Sequence, residues 1–99
     1  MTARVDLTPE AEADVAEAYS WYRQRGLGLS EEFLRSLDSC LEEIARFPDS
    51  SPVVHRGLRR ALLRRFPYCV FYLVQPTRVV VIGVLHARRD PRAWQRRNA

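Results

Sequence analysis

The stretch LRRALLRRFPYCVFYLVQPTRVVVIGVLHARRDPRAW, Leu58 to Trp94, decides the fold. It reads as three short strands followed by an arginine-rich exit. Two of the strands, Tyr68 to Gln75 and Arg78 to Leu85, are apolar on both faces. Alternation puts Tyr68, Val70, Tyr72 and Val74 on one side of the first, and Cys69, Phe71 and Leu73 on the other. Such a strand must be covered above and below. The tight turn Gln75-Pro76-Thr77-Arg78 makes the two strands antiparallel neighbours. Ahead of them, Arg59 to Arg65 is a short strand flanked by arginines. Phe66-Pro67-Tyr68 then breaks or bulges the chain, because a proline cannot donate to a ladder.

Working outward, Ala3 to Leu7 is a brief first strand with Val5 and Leu7 on one face. Thr8 can cap a helix that Pro9 begins, with Glu10 and Glu12 at the positive end of its dipole. Ala11, Val15, Ala18 and Tyr22 form its apolar stripe to about Arg25, and Gly26-Leu27-Gly28 ends it. Ser30 opens a second helix whose face is Phe33, Leu37, Cys40, Leu41, Ile44 and Phe47, stopped by Pro48. Pro48 to Pro52 is a loop. Past His86, Asp90-Pro91 begins a short last helix carrying Trp94. The predicted fold is α+β: one domain over residues 1–99, a helical hairpin on one face of a small, mainly antiparallel sheet, order β-α-α-β-β-β with a short C-terminal helix. Trp94 can cover only a strip of the second face. Apolar sheet surface should therefore stay open for another chain to complete.

With 46% hydrophobic residues in a chain of 99, a folded globular domain is expected rather than a disordered one. No apolar run reaches the roughly 18–20 residues that span a bilayer, and the N-terminus lacks a secretory pattern. A cytoplasmic protein with no membrane contact is expected. Cys40 and Cys69 read as buried free thiols. Neither they nor His55 and His86 show metal-ligand spacing, so no metal is expected. With no glycine-rich phosphate loop and no Ser-His-Asp pattern, no cofactor is implied and P-loop or serine-hydrolase chemistry is excluded. Charge is lopsided: residues 1–50 hold five arginines against eleven acids, and residues 51–99 hold eleven arginines against Asp90 alone. Such a half-chain calls for an anion, either nucleic acid or an acidic partner segment.

The element order carries a family likeness. So do Phe66-Pro67-Tyr68 before a strand bearing Tyr68 and Tyr72, and the ending His86, Arg89, Asp90, Pro91 and Trp94 in the pattern H-x-x-R-D-P-x-x-W. Together they resemble the RelE/ParE superfamily, the toxin halves of type II toxin–antitoxin modules, and within it the ParE, plasmid-stabilisation branch. The resemblance implies a growth-inhibiting cytoplasmic toxin held inactive by a cognate antitoxin. The antitoxin's acidic, amphipathic C-terminal segment would lie in the groove between sheet and helices, and operator DNA would be reached only through the antitoxin. ParE-like members poison DNA gyrase by binding it and block replication; RelE-like members cut mRNA on the ribosome.

Ribonuclease chemistry needs a proton acceptor, a proton donor and cations around the phosphate. The candidates for that role are Arg59, Arg64, His86 and Arg88. RelE-type nucleases resemble one another in a polar or aromatic residue just after the last strand, where this chain has Ala87. That departure favours the gyrase inhibitor, a non-enzyme, over the nuclease. For contact with antitoxin or target the candidates are Trp21, which falls off the first helix's apolar stripe, together with Arg59, Arg60, Arg64, Arg65, Arg88, Arg89 and Trp94.

Overall fold

A computed structural model describes residues 2–98. The elements are β1 (Val5–Leu7), α1 (Pro9–Arg23), α2 (Leu29–Arg46), β2 (Val53–His55), β3 (Leu58–Leu62), β4 (Tyr68–Val74), β5 (Val79–His86) and α3 (Pro91–Gln95), followed by a 3-10 turn, Arg96–Asn98. The sheet runs β1-β5-β4-β3-β2, with β1 parallel to β5 and every other pair antiparallel.

The helix starts follow local chemistry. The Thr8 hydroxyl accepts from the Ala11 N–H at 3.2 Å, with Pro9 in the first turn. The second helix opens one residue before Ser30, from Gly28 in the left-handed region (φ 78°), and has no side-chain cap. Ser30 instead sits buried in the first turn, its hydroxyl donating to Glu31 at 2.7 Å.

One strand was not foreseen. Val53–His55, to which the predicted order assigns no element, pairs with β3 through the two-residue turn Arg56-Gly57, in which both residues have positive φ (46° and 80°). That is the hairpin geometry whose twist suits adjoining strands. It places His55 in a strand, half-buried, with its ring 6.3 Å from that of Trp94.

Two cores flank the sheet. On one side Ala11, Ala18 and Tyr22 of α1 and Phe33, Leu37 and Ile44 of α2 pack on Val70, Tyr72, Val79, Val81 and Val84. On the other, Leu58, Cys69, Phe71, Ile82 and Leu85 form a second cluster closed by Trp94, which stacks on Phe71 at 4.6 Å. The faces of β4 are those its alternation set. Gly83 and Val81 of β5 oppose Phe71 and Tyr72, so Ile82 is an extra residue, a bulge that turns its side chain to the Trp94 side. Trp94 is only 6% exposed. The apolar sheet surface expected to stay open beside Trp94 is therefore largely sealed by the chain's own tail, because one indole covers more sheet than the shortness of α3 suggests.

The tail is held by charge. β1 covers only Val79–Val81 of β5, leaving the rest of that edge without a strand. There the Asp14 carboxylate accepts from the Val84 N–H at 3.0 Å, and the Arg97 guanidinium donates to the Ile82 carbonyl at 3.1 Å. Arg97 and Asp14 also form a bidentate pair. A Cβ on Gly83 would lie 3.1 Å from that guanidinium, which explains a glycine in mid-strand. Asp14→Asn keeps the shape but weakens the pair and turns one acceptor into a donor. It should lower stability by about 2 kcal/mol in urea unfolding, with a Gly83 variant non-additive to it.

Candidate partner-binding groove

α1 packs along β5, and α2 faces β3 across open space. The space between is a groove of about 840 Å³. One wall is α2, with Arg35, Ser36, Ser39, Cys40, Ile44 and Arg46; the other is β3 and its following loop, with Arg60, Ala61, Leu62, Arg64, Arg65 and Phe66; Ser50–Pro52 close one end. Its base is apolar and its rim carries both signs: Glu32, Glu42 and Glu43 share α2 with Arg35 and Arg46, across from Arg60, Arg64 and Arg65. Burial pushes the Cys40 thiol up to about 11, so it stays protonated.

The β3 wall is an unfinished sheet edge. The Arg60 N–H donates outward to the Pro52 carbonyl at 3.1 Å, while the Leu63 N–H turns inward to the Tyr68 carbonyl. By alternation the Leu62 N–H and C=O point outward too, and β2 has already ended. The Leu62 side chain is 64% exposed at this edge. An extended segment could pair here and set an apolar side chain into the groove.

The other sequence-derived candidates scatter. Arg59 is opposite Tyr72 on the helix side and is tied down: it donates to the Asp49 and Ser51 carbonyls at 3.1 and 2.7 Å and pairs with the Asp49 carboxylate at 3.4 Å. Arg60, Arg64 and Arg65 line the groove. His86, opposite Tyr68, is two strands and four residues from Arg59, roughly 16 Å by strand geometry. Its Nδ1 accepts from the Arg88 N–H at 3.0 Å, so the neutral ring carries its proton on Nε2 and shows a donor, not a base, to solvent. Beside it Glu17, Tyr68 and Arg89 line a cavity of about 40 Å³, room for water and not for a nucleotide. Burial and the Glu17 carboxylate push the Tyr68 phenol up, with Arg89 opposing them. Trp21 is 48% exposed near the tip of the helical hairpin, with the Arg25 guanidinium 4.0 Å above its ring. Trp94 is a core residue. The structure thus gathers Arg60, Arg64 and Arg65 at one site and His86, Arg88 and Arg89 at another, while Arg59 lines neither and braces the loop at the end of the groove. Sequence reasoning passed over Leu62, Arg35 and Arg46, although an apolar residue beside an arginine pair on a short strand was a usable signal.

No helix among the described residues is long and apolar enough to cross a membrane. Comparison with curated proteins finds no match. Among solved structures, one titled as the chromosomal ParDE toxin–antitoxin system from P. aeruginosa superposes with a TM-score of 0.63 at 19% identity, covering 86% of this chain and 96% of that one. At that identity the likeness speaks for the fold, and the fold is the one built above. A family model described as ParE toxin of type II toxin–antitoxin system, parDE, matches residues 5–91, from the first strand to the start of α3. The chain belongs to the ParE toxin family of type II toxin–antitoxin systems.

Proposed function

We propose that this toxin acts by binding, that its target is DNA gyrase, and that a cognate antitoxin neutralises it by filling the groove between α2 and β3. The unfinished edge at Leu62, facing an apolar base and rimmed by Arg60, Arg64 and Arg65, carries the antitoxin part of this reading. An acidic, amphipathic segment laid there gains backbone pairing, apolar burial and charge-assisted hydrogen bonds together. The separation of Arg59 from His86 supports action without RNA cleavage. Replication is blocked in the cytoplasm, and operator sequence is read by the antitoxin.

The test is induced expression together with a supercoiling assay. The toxin should stop gyrase from supercoiling relaxed plasmid, and cells should filament with transcripts intact. His86→Ala should preserve both effects. Transcripts cut at the ribosome, with cutting lost in His86→Ala, would instead make the chain an mRNA endonuclease of the RelE kind.

A further inference from the structure

The charge asymmetry of the sequence becomes an asymmetry of layers. Residues 9–46, the helical layer, hold nine acids against four arginines, while residues 53–98 hold eleven arginines against Asp90. The helices cover one side of the sheet, and five of these arginines lie on or at the border of the other, where α3 lies over Phe71. Arg60 is on that side, opposite Phe71 in the register. Arg56, in the β2–β3 turn, is joined to the tail by Asn98, whose side-chain amide donates to the Arg56 carbonyl at 3.2 Å. α3, whose Trp94 stacks on Phe71, carries Arg92 and ends at Arg96, and Arg88 lies in the turn before it. All five are exposed. Of these five, only Arg92 has an acidic partner among the described residues, Asp90 at 2.7 Å.

What this face lacks narrows the ligand. Trp94 is buried, and the exposed aromatic residues Trp21 and Phe47 belong to the helical layer. The His55 ring beside Trp94 is half-buried, so no fully exposed ring is offered for stacking on unpaired bases. The two cavities described above lie elsewhere, one between α2 and β3 and one beside α1. A shallow cationic face without stacking rings suits the regularly spaced phosphates of a duplex, which guanidinium groups meet with paired hydrogen bonds.

We propose that this face, Arg56, Arg88, Arg92 and Arg96 with Arg60 at its border, binds the phosphate backbone of duplex DNA directly and without sequence preference. Phosphate contacts position a protein and specify nothing, so operator choice stays with the antitoxin. The preference for DNA over an RNA duplex rests on the gyrase reading, since that enzyme works on duplex DNA. A toxin engaging both would be held where the enzyme and its DNA meet.

The experiment is fluorescence anisotropy of the full chain with labelled 20-base-pair DNA duplexes of two unrelated sequences. The matching single strand and an RNA duplex are run beside them. Both DNA duplexes should bind equally, with a slope of log affinity against log salt of about −3 to −4 for some four phosphate contacts. Arg56→Glu/Arg88→Glu/Arg96→Glu should bind at least 30-fold more weakly while keeping its thermal melt, and Arg64→Glu/Arg65→Glu at the groove should stay within threefold. If the triple variant melts early, Arg88→Gln and Arg96→Gln take its place, each expected to flatten the slope by about one. Absence of duplex binding at 50 mM salt, unchanged binding by the variants, or tighter binding of the single strand or RNA overturns the proposal. Failure here with gyrase inhibition intact removes only the DNA face. Duplex binding without gyrase inhibition removes only the gyrase reading.

Discussion

Phe33→Ala is expected to cost about 4 kcal/mol of folding stability and to lower the melting temperature by 15 °C or more. Phe33 has no exposed surface and is among the largest fully buried side chains of the domain. Its ring lies 5.4 Å from Tyr22, 5.6 Å from Phe66 and 5.4 Å from Tyr68, so it joins α1, the β3–β4 loop and β4 at one point. Alanine would lose the transfer energy of the ring and three aromatic contacts, and leave a cavity that two helices and a sheet cannot all collapse into. Against a typical total of roughly 5–15 kcal/mol for a single domain, that is a large share. Urea unfolding of wild type and variant, followed by circular dichroism, reads it directly. A loss below 1 kcal/mol would mean that the hairpin is docked by something other than this aromatic knot. Phe33→Leu, which keeps much of the volume, should recover more than half of the loss.

Phe33 was legible in the sequence because periodicity reports burial. An apolar residue on the helical stripe 33, 37, 40, 44 has one place to go, and the doubly apolar β4 and β5 said what it would meet. β2 was not legible. Three residues cannot show a period, and Arg56-Gly57 lacks the asparagine or aspartate that usually announces such a turn. The cover supplied by Trp94 was misjudged for a different reason. Sequence gives the length of α3, but not the bidentate Arg97–Asp14 pair that pins the tail across 83 residues of separation. The same limit governs the sites. Composition announced a cationic half-chain, yet which arginines share a surface depends on register: Arg59 and Arg60 are adjacent in sequence and point to opposite sides of the sheet. The unfinished edge at Leu62 exists because β2 is one pairing too short, a fact of tertiary structure alone.

That edge sets up the second large effect. Arg64→Glu/Arg65→Glu should weaken antitoxin binding by about 4 kcal/mol, some 500- to 1,000-fold, while leaving gyrase inhibition unchanged. Both arginines are exposed on the loop between β3 and β4 and line the groove. Neither has an acidic partner within the described residues, so reversing them breaks no ion pair there. With an acidic segment in the groove, each reversal removes an attraction and adds a repulsion of similar size at partly desolvated contacts. Two reversals therefore outweigh what either truncation to alanine would cost. Arg59→Glu should behave differently: its guanidinium holds the Asp49–Ser51 loop that closes the groove, so it should destabilise the fold as well as the complex. Titration calorimetry with the purified antitoxin separates these outcomes, and growth supplies the cellular readout. Cells carrying both genes should thrive with wild-type toxin and stop dividing with the double reversal. Full neutralisation of the reversed toxin would place the antitoxin elsewhere on the molecule and leave the groove between α2 and β3 without its proposed occupant.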